Sequence, residues 1–132
     1  EVEKASVAVQ IGDNTSKLWL VTLEGTIVGQ TSQSSLPRLT VVSGRVGRED
    51  ANFISAVKLV DLLSRAREID GAQISGEDLL INTDGVQVIL PLVGRDPQVL
   101  VGSLQLILVR GTMGDKRLSK IDLRFKNAVV TY

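Results

Sequence analysis

From Ile121 to Tyr132 the chain is written as strand. Ile121, Leu123 and Phe125 alternate with charged Asp122 and Arg124, the period-2 pattern of a segment with one face buried and one in water. Val129, Val130 and Thr131 are β-branched and Tyr132 is aromatic, so the second half also suits a strand. A strand needs neighbours for its backbone N–H and C=O groups, so this stretch commits the chain to a sheet. A strand that closes a chain often lies at a sheet edge, where unpaired backbone groups can template a strand from another molecule.

Local signals elsewhere predict the partners of that strand. Val7, Val9 and Ile11 alternate before a turn at Gly12-Asp13-Asn14. Leu18–Leu23 and Thr26–Val28 flank Glu24-Gly25 and predict a hairpin. Gln30–Ser35 reads as loop, and Pro37 sends Leu36–Leu39 across a surface rather than into a sheet, with a short strand at Thr40–Val42. Asp50 caps a helix from Ala51 to about Arg67, with Phe53, Ala56, Val57, Val60 and Leu63 at helical spacing and Asp70-Gly71 ending it. Ile74 and Leu79–Ile81 precede a hairpin turn at Asp84-Gly85, Val86–Leu90 follow it, and Pro91 stops the strand. Asp96-Pro97 then opens a second helix carrying Leu100, Leu104, Ile107 and Leu108. Val99–Val109 is apolar nearly all round and Gly102 costs helix about 1 kcal/mol, so a buried strand is the alternative. The expected architecture is α+β: an antiparallel, hairpin-rich sheet with two helices packed on one face and a C-terminal edge strand.

Chemistry is thinly supplied. The 132 residues contain no Cys and no His, which removes thiol nucleophiles, zinc–thiolate sites and the usual general base. Hydroxyl nucleophiles are left with lysine as base, in Ser55–Lys58 and Ser119–Lys120, and no oxyanion loop accompanies either pair. Ser43–Arg48 lacks the spacing of a phosphate loop and reads as plain loop. Lys plus Arg equals Asp plus Glu at 15 each, so no basic excess favours nucleic acid, and 3% aromatic content is too little for a base-stacking surface. Trp19 reads as a core or sheet-face residue. The chain is expected to be no enzyme and to hold no cofactor or metal.

The order of elements and several local words resemble the extracytoplasmic β domain of the bacterial division protein family FtsQ, called DivIB in Gram-positive bacteria. They are Leu18–Gly25, Leu36–Leu39, the Asp84–Val88 hairpin, Gly94 before a Leu-rich helix, and Ile121–Asn127. The resemblance covers roughly residues 5 to 132. It implies a membrane-anchored, extracytoplasmic, non-enzymatic scaffold of the divisome that binds FtsB (DivIC) and FtsL and helps control septal peptidoglycan synthesis. It places residues 1–11 at the end of a POTRA-like module or linker strand and 12–132 in the β domain, with the anchor and most of the POTRA domain outside this chain. The family's partner-receiving region carries over to Arg124, Phe125, Asn127, Ala128, Val129 and Val130, and Tyr132 completes the expected rail. Phe125 departs from the family's commoner Tyr, and Ala128 stands where Gly is usual, which disfavours a turn needing positive φ. The competing expectation is a POTRA-adjacent module of an outer-membrane or secretion assembly that takes up a barrel strand.

Overall fold

The computed structural model describes residues 4–42, 46–47, 49–111 and 117–132. The reading of Ser43–Arg48 as a loop rests largely on residues 43–45 and 48, which lie outside the described residues, as do residues 1–3 of the 1–11 segment.

The strongest local signals act as written. Asp50 accepts the Phe53 N–H at 3.0 Å and starts α1 (Ala51–Ala66). That bond satisfies one of the donors a helix start leaves orphaned. Asp96 accepts the Gln98 N–H at 2.8 Å and starts α2 (Pro97–Gly111), so the apolar run is helix and not buried strand. Asp84 and Gly85 sit at φ 51° and 77°, the left-handed pair of a type I′ turn, between β6 (Asp78–Thr83) and β7 (Val86–Pro91).

Around these lie β1 (Val7–Ile11), β2 (Leu18–Val21), β3 (Ile27–Thr31), β4 (Arg38–Val41), β5 (Gly71–Ser75), β8 (Lys120–Asp122) and β9 (Val129–Thr131). All nine strands form one sheet in the order β3-β2-β1-β4-β5-β6-β7-β8-β9. One face is covered: Val7, Val9, Leu39, Val41, Ile74, Leu79, Ile81, Val88, Leu90 and Ile121 join Phe53, Val57, Val60, Leu63, Leu100, Leu104 and Leu108 in a single core. The alternate strand residues, among them Gln10, Thr40, Gln73 and Asn82, belong to the opposite face.

Several expectations are corrected here. The sheet is mixed, not antiparallel: β1 with β4, β4 with β5, and β7 with β8 run parallel. The helices are the reason for two of these pairs, because α1 stands between β4 and β5 and α2 between β7 and β8, and a crossover of that length returns the chain in the same direction; β1 and β4 are joined instead through β2 and β3. The segment around Leu39 does not run across a surface; β4 is the fourth strand of the nine, and Leu39 is wholly buried. Pro37 stands just before β4 and offers its carbonyl to the Ala8 N–H at 2.9 Å, so its missing donor interrupts nothing. The first hairpin turns through Thr22–Thr26 rather than a two-residue turn: the Thr22 N–H donates to the Thr26 carbonyl and the Thr22 hydroxyl accepts the Thr26 N–H. Gln30 and Thr31 extend β3 instead of opening a loop. A further hairpin, β5–β6, turns at Gly76 with φ 62°. α1 ends at Ala66, with Arg67 already extended, and Gly71 begins β5 rather than capping the helix. Trp19 packs partly buried against the core with the Lys17 ammonium 5.3 Å from its ring centroid.

Candidate functional site

The C-terminal stretch is two short strands joined by a bend. β8 carries Ile121 and Asp122 into the sheet, Leu123 stays buried, and residues 124–127 bend away before β9 returns antiparallel, pairing Lys120 with Thr131, Ile121 with Val130 and Asp122 with Val129. Strand alternation therefore stops at Leu123, and Phe125 is 55% exposed.

Backbone direction identifies what the edge offers. Gln87 donates its N–H to the Ser119 carbonyl at 3.0 Å, and Leu123 donates to the Ile89 carbonyl at 2.9 Å, so Ile121, midway between them, also turns its backbone groups toward β7. Lys120 and Asp122 then face β9, and Thr131 and Val129 face back; the Thr131 carbonyl also accepts the Ser119 N–H at 2.8 Å. Val130, opposite Ile121, is in the pair that exchanges no bond with β8, and its N–H and C=O point out of the sheet. Among the described residues, nothing pairs with that outer side.

The opposite edge is built differently. β3 pairs Ile27 with Val21 and Gly29 with Leu20, leaving Val28 unmatched in a bulge. A bulge interrupts the regular outward ladder and is a common device for blunting an edge. β9 has neither bulge nor proline.

The expected site residues divide into two groups. Phe125, Val129 and Tyr132 are exposed at 55%, 50% and 64%, Asn127 and Ala128 lie exposed in and just after the bend, and Val130 is half-buried. Among the described residues Asp84 alone, glycine aside, has positive φ, so Ala128 meets no left-handed requirement. Arg124, in contrast, turns back on the protein. Its guanidinium forks onto Asp122, with Nη2 2.7 Å from Oδ2 and Nε 3.0 Å from Oδ1, and its own N–H donates to the same carboxylate at 3.0 Å. Nη1 lies 3.6 Å from Asp78 on β6, and the guanidinium carbon is 5.6 Å from the Phe125 ring centroid.

In comparisons with known proteins, no family model and no curated protein matches the chain.

Sequence reasoning missed three members of this arrangement. Asp122 was read as a strand residue and Asp78 was not singled out, though Asp122 and Arg124 stand two apart with opposite charge. Arg95, in the β7–α2 connection, donates Nη2 to the Phe125 carbonyl at 2.9 Å; nothing in the sequence signals that contact. The Ser119 hydroxyl donates to the Thr131 carbonyl, and Lys58 is exposed on α1. Among the described residues no cluster of acidic side chains is placed to hold a metal ion, and no helix is long and apolar enough to cross a membrane.

The hydrogen bond from the Arg124 side chain holds the Asp122 carboxyl below its ordinary value of 3.8; burial opposes this, while the Arg124 N–H, the Arg124 charge and Lys120 assist it. A carboxylate depressed in the folded state adds stability that is complete above its unfolded pKa and disappears as the pH falls through the folded one. Thermal unfolding followed from pH 6 downward should show wild type losing more stability than Asp122→Asn below about pH 4. Parallel curves for the two proteins would mean that the pair contributes nothing.

Proposed function

We propose that this chain is a non-enzymatic scaffold domain of the FtsQ/DivIB kind, acting at the extracytoplasmic face of the bacterial plasma membrane. In this reading it receives an FtsB/DivIC-type partner by strand addition to β9, works with an FtsL-type protein, and so helps control septal peptidoglycan synthesis. The observation that carries the reading is the outward N–H and C=O of Val130 on an unbulged outermost strand, flanked by exposed Phe125, Val129 and Tyr132. Backbone pairing supplies the alignment and the exposed apolar side chains supply area to cover.

Charge supports a particular partner chemistry. Residues 95–132 hold seven of the 15 Lys and Arg but three of the 15 Asp and Glu, a net +4 offset by −4 in the rest of the chain. A partner strand with acidic neighbours fits this end of the sheet better than a basic one, and its association should slow as salt rises.

The test is calorimetric titration of this chain with the extracytoplasmic segment of the FtsB/DivIC-type protein from the same organism, at two salt concentrations. The expected result is one-to-one binding that weakens in salt. No heat and no complex at micromolar concentrations would sink the reading.

A further inference from the structure

The β8–β9 connection, residues 123–128, is too long to set strand register by itself. Two-residue hairpin turns fix which residues face one another; a six-residue connection leaves the strands free to slide. Nor does hydrophobic pattern fix β9, since Val129 and Thr131 are exposed and only Val130 is half-buried. A one-residue slip would turn the backbone groups of Val130 inward and present Val129 or Thr131 to solvent instead.

At its far end β9 is tied by the Ser119 N–H and hydroxyl, which both donate to the Thr131 carbonyl; at its near end, the ties on the bend fall on residues 124 and 125. Arg124 grips Asp122 through two side-chain nitrogens and its own backbone N–H, and its remaining reach goes to Asp78 on β6. Asp122 is 6% exposed and lies beside Ile89, anchored in the sheet. Arg95 holds the next carbonyl, that of Phe125. The start of the bend is thus pinned to β6, to β8 and to the β7–α2 connection. A forked guanidinium–carboxylate pair fixes both distance and orientation, which a single charge contact does not.

We infer that Arg124 is a positioning residue: it is the latch that sets the register of β9, and it serves the proposed docking edge by aiming Val130 outward. The inference rests on the docking reading for its purpose but not for its test, which needs the free protein alone.

Amide hydrogen exchange reads the latch directly. In the wild type, the Val129 and Thr131 amides, which face β8, should be protected, the Val130 amide should exchange freely, and the Ile121 and Leu123 amides, which face β7, should be protected by the interior of the sheet. In Arg124→Ala, exchange at Val129 and Thr131 should quicken about tenfold or more while Ile121 and Leu123 hold their wild-type rates, the pattern of local rather than global opening. Asp122→Asn should reproduce the pattern, and Arg124→Lys, which keeps the charge but loses the fork, should fall between wild type and Arg124→Ala. Unchanged protection at Val129 and Thr131 in Arg124→Ala would overturn the inference. So would an equal rise at all four amides, because Arg124 would then be supporting the whole fold. A latch that behaves as described on a protein that binds no division partner would remove the docking reading alone.

Discussion

Val130→Pro is expected to abolish strand addition at β9 while leaving the fold standing. Proline has no N–H and fixes φ, so its effect depends on which way the replaced amide faces. At Val130 the amide points out of the sheet, and no bond to β8 is lost. At Val129 or Thr131 the same substitution removes a ladder bond to β8 and should unfasten the strand. Partner affinity should drop at least tenfold in Val130→Pro, equivalent to about 1.4 kcal/mol, with circular dichroism and melting temperature close to wild type. Val129→Pro should lose affinity and also lose protection across β9. Undiminished affinity in Val130→Pro would remove the backbone of β9 from the interface.

Phe53→Ala should be the most damaging single change to stability. Phe53 is the largest of the wholly buried side chains, 1% exposed at the first turn of α1, and joins the core shared by both helices and the sheet. Truncation removes its transfer free energy and leaves a cavity, together about 3–5 kcal/mol. Against a total of about 5–15 kcal/mol for a typical domain, the variant stays marginally folded or unfolds at room temperature. Phe125→Ala provides the contrast: an exposed aromatic on the bend should shift stability by no more than about 0.5 kcal/mol. Urea denaturation of both variants measures the difference directly. A loss below 1 kcal/mol for Phe53→Ala would mean that α1 is not packed as described.

What could be read before folding was what a few adjacent residues decide among themselves. Asp50 and Asp96 at the helix starts, Asp84-Gly85 in a turn requiring left-handed backbone, and Pro91 at a strand end each act within four residues of their own position. The terminal segment was placed at the edge from its composition and position, and it lies there. Pairing direction was not legible, because a strand carries the same alternation whether its neighbour runs parallel or antiparallel. The clue was the placement of α1 between β4 and β5 and of α2 between β7 and β8, which makes each pair a crossover unit. Leu39 was misplaced because Pro37 was taken as a barrier to the sheet, when a proline just ahead of a strand costs no ladder bond. The turn at Gly76 was not read, although Ser75-Gly76-Glu77-Asp78 is the polar, glycine-bearing cluster that marks one.

The exposure of the expected rail was legible, and the engagement of Arg124 was not. Val129, Val130 and Tyr132 follow from β-propensity, and their exposure follows from their place at the sheet's margin. Arg124 belongs with them by resemblance, yet its guanidinium is occupied by Asp122 and Asp78. An arginine drawn inward by a carboxylate two residues away, and by another brought near only by folding, gives no sign of that engagement in sequence.

The most direct measurement is hydrogen exchange at Val130 in the presence and absence of the FtsB/DivIC-type segment. If that segment adds to β9, the Val130 amide should pass from free exchange to protection on binding, while the amides of Ile27 and Val28 on the opposite edge stay unchanged. Protection appearing at β3 and not at Val130 would contradict the account.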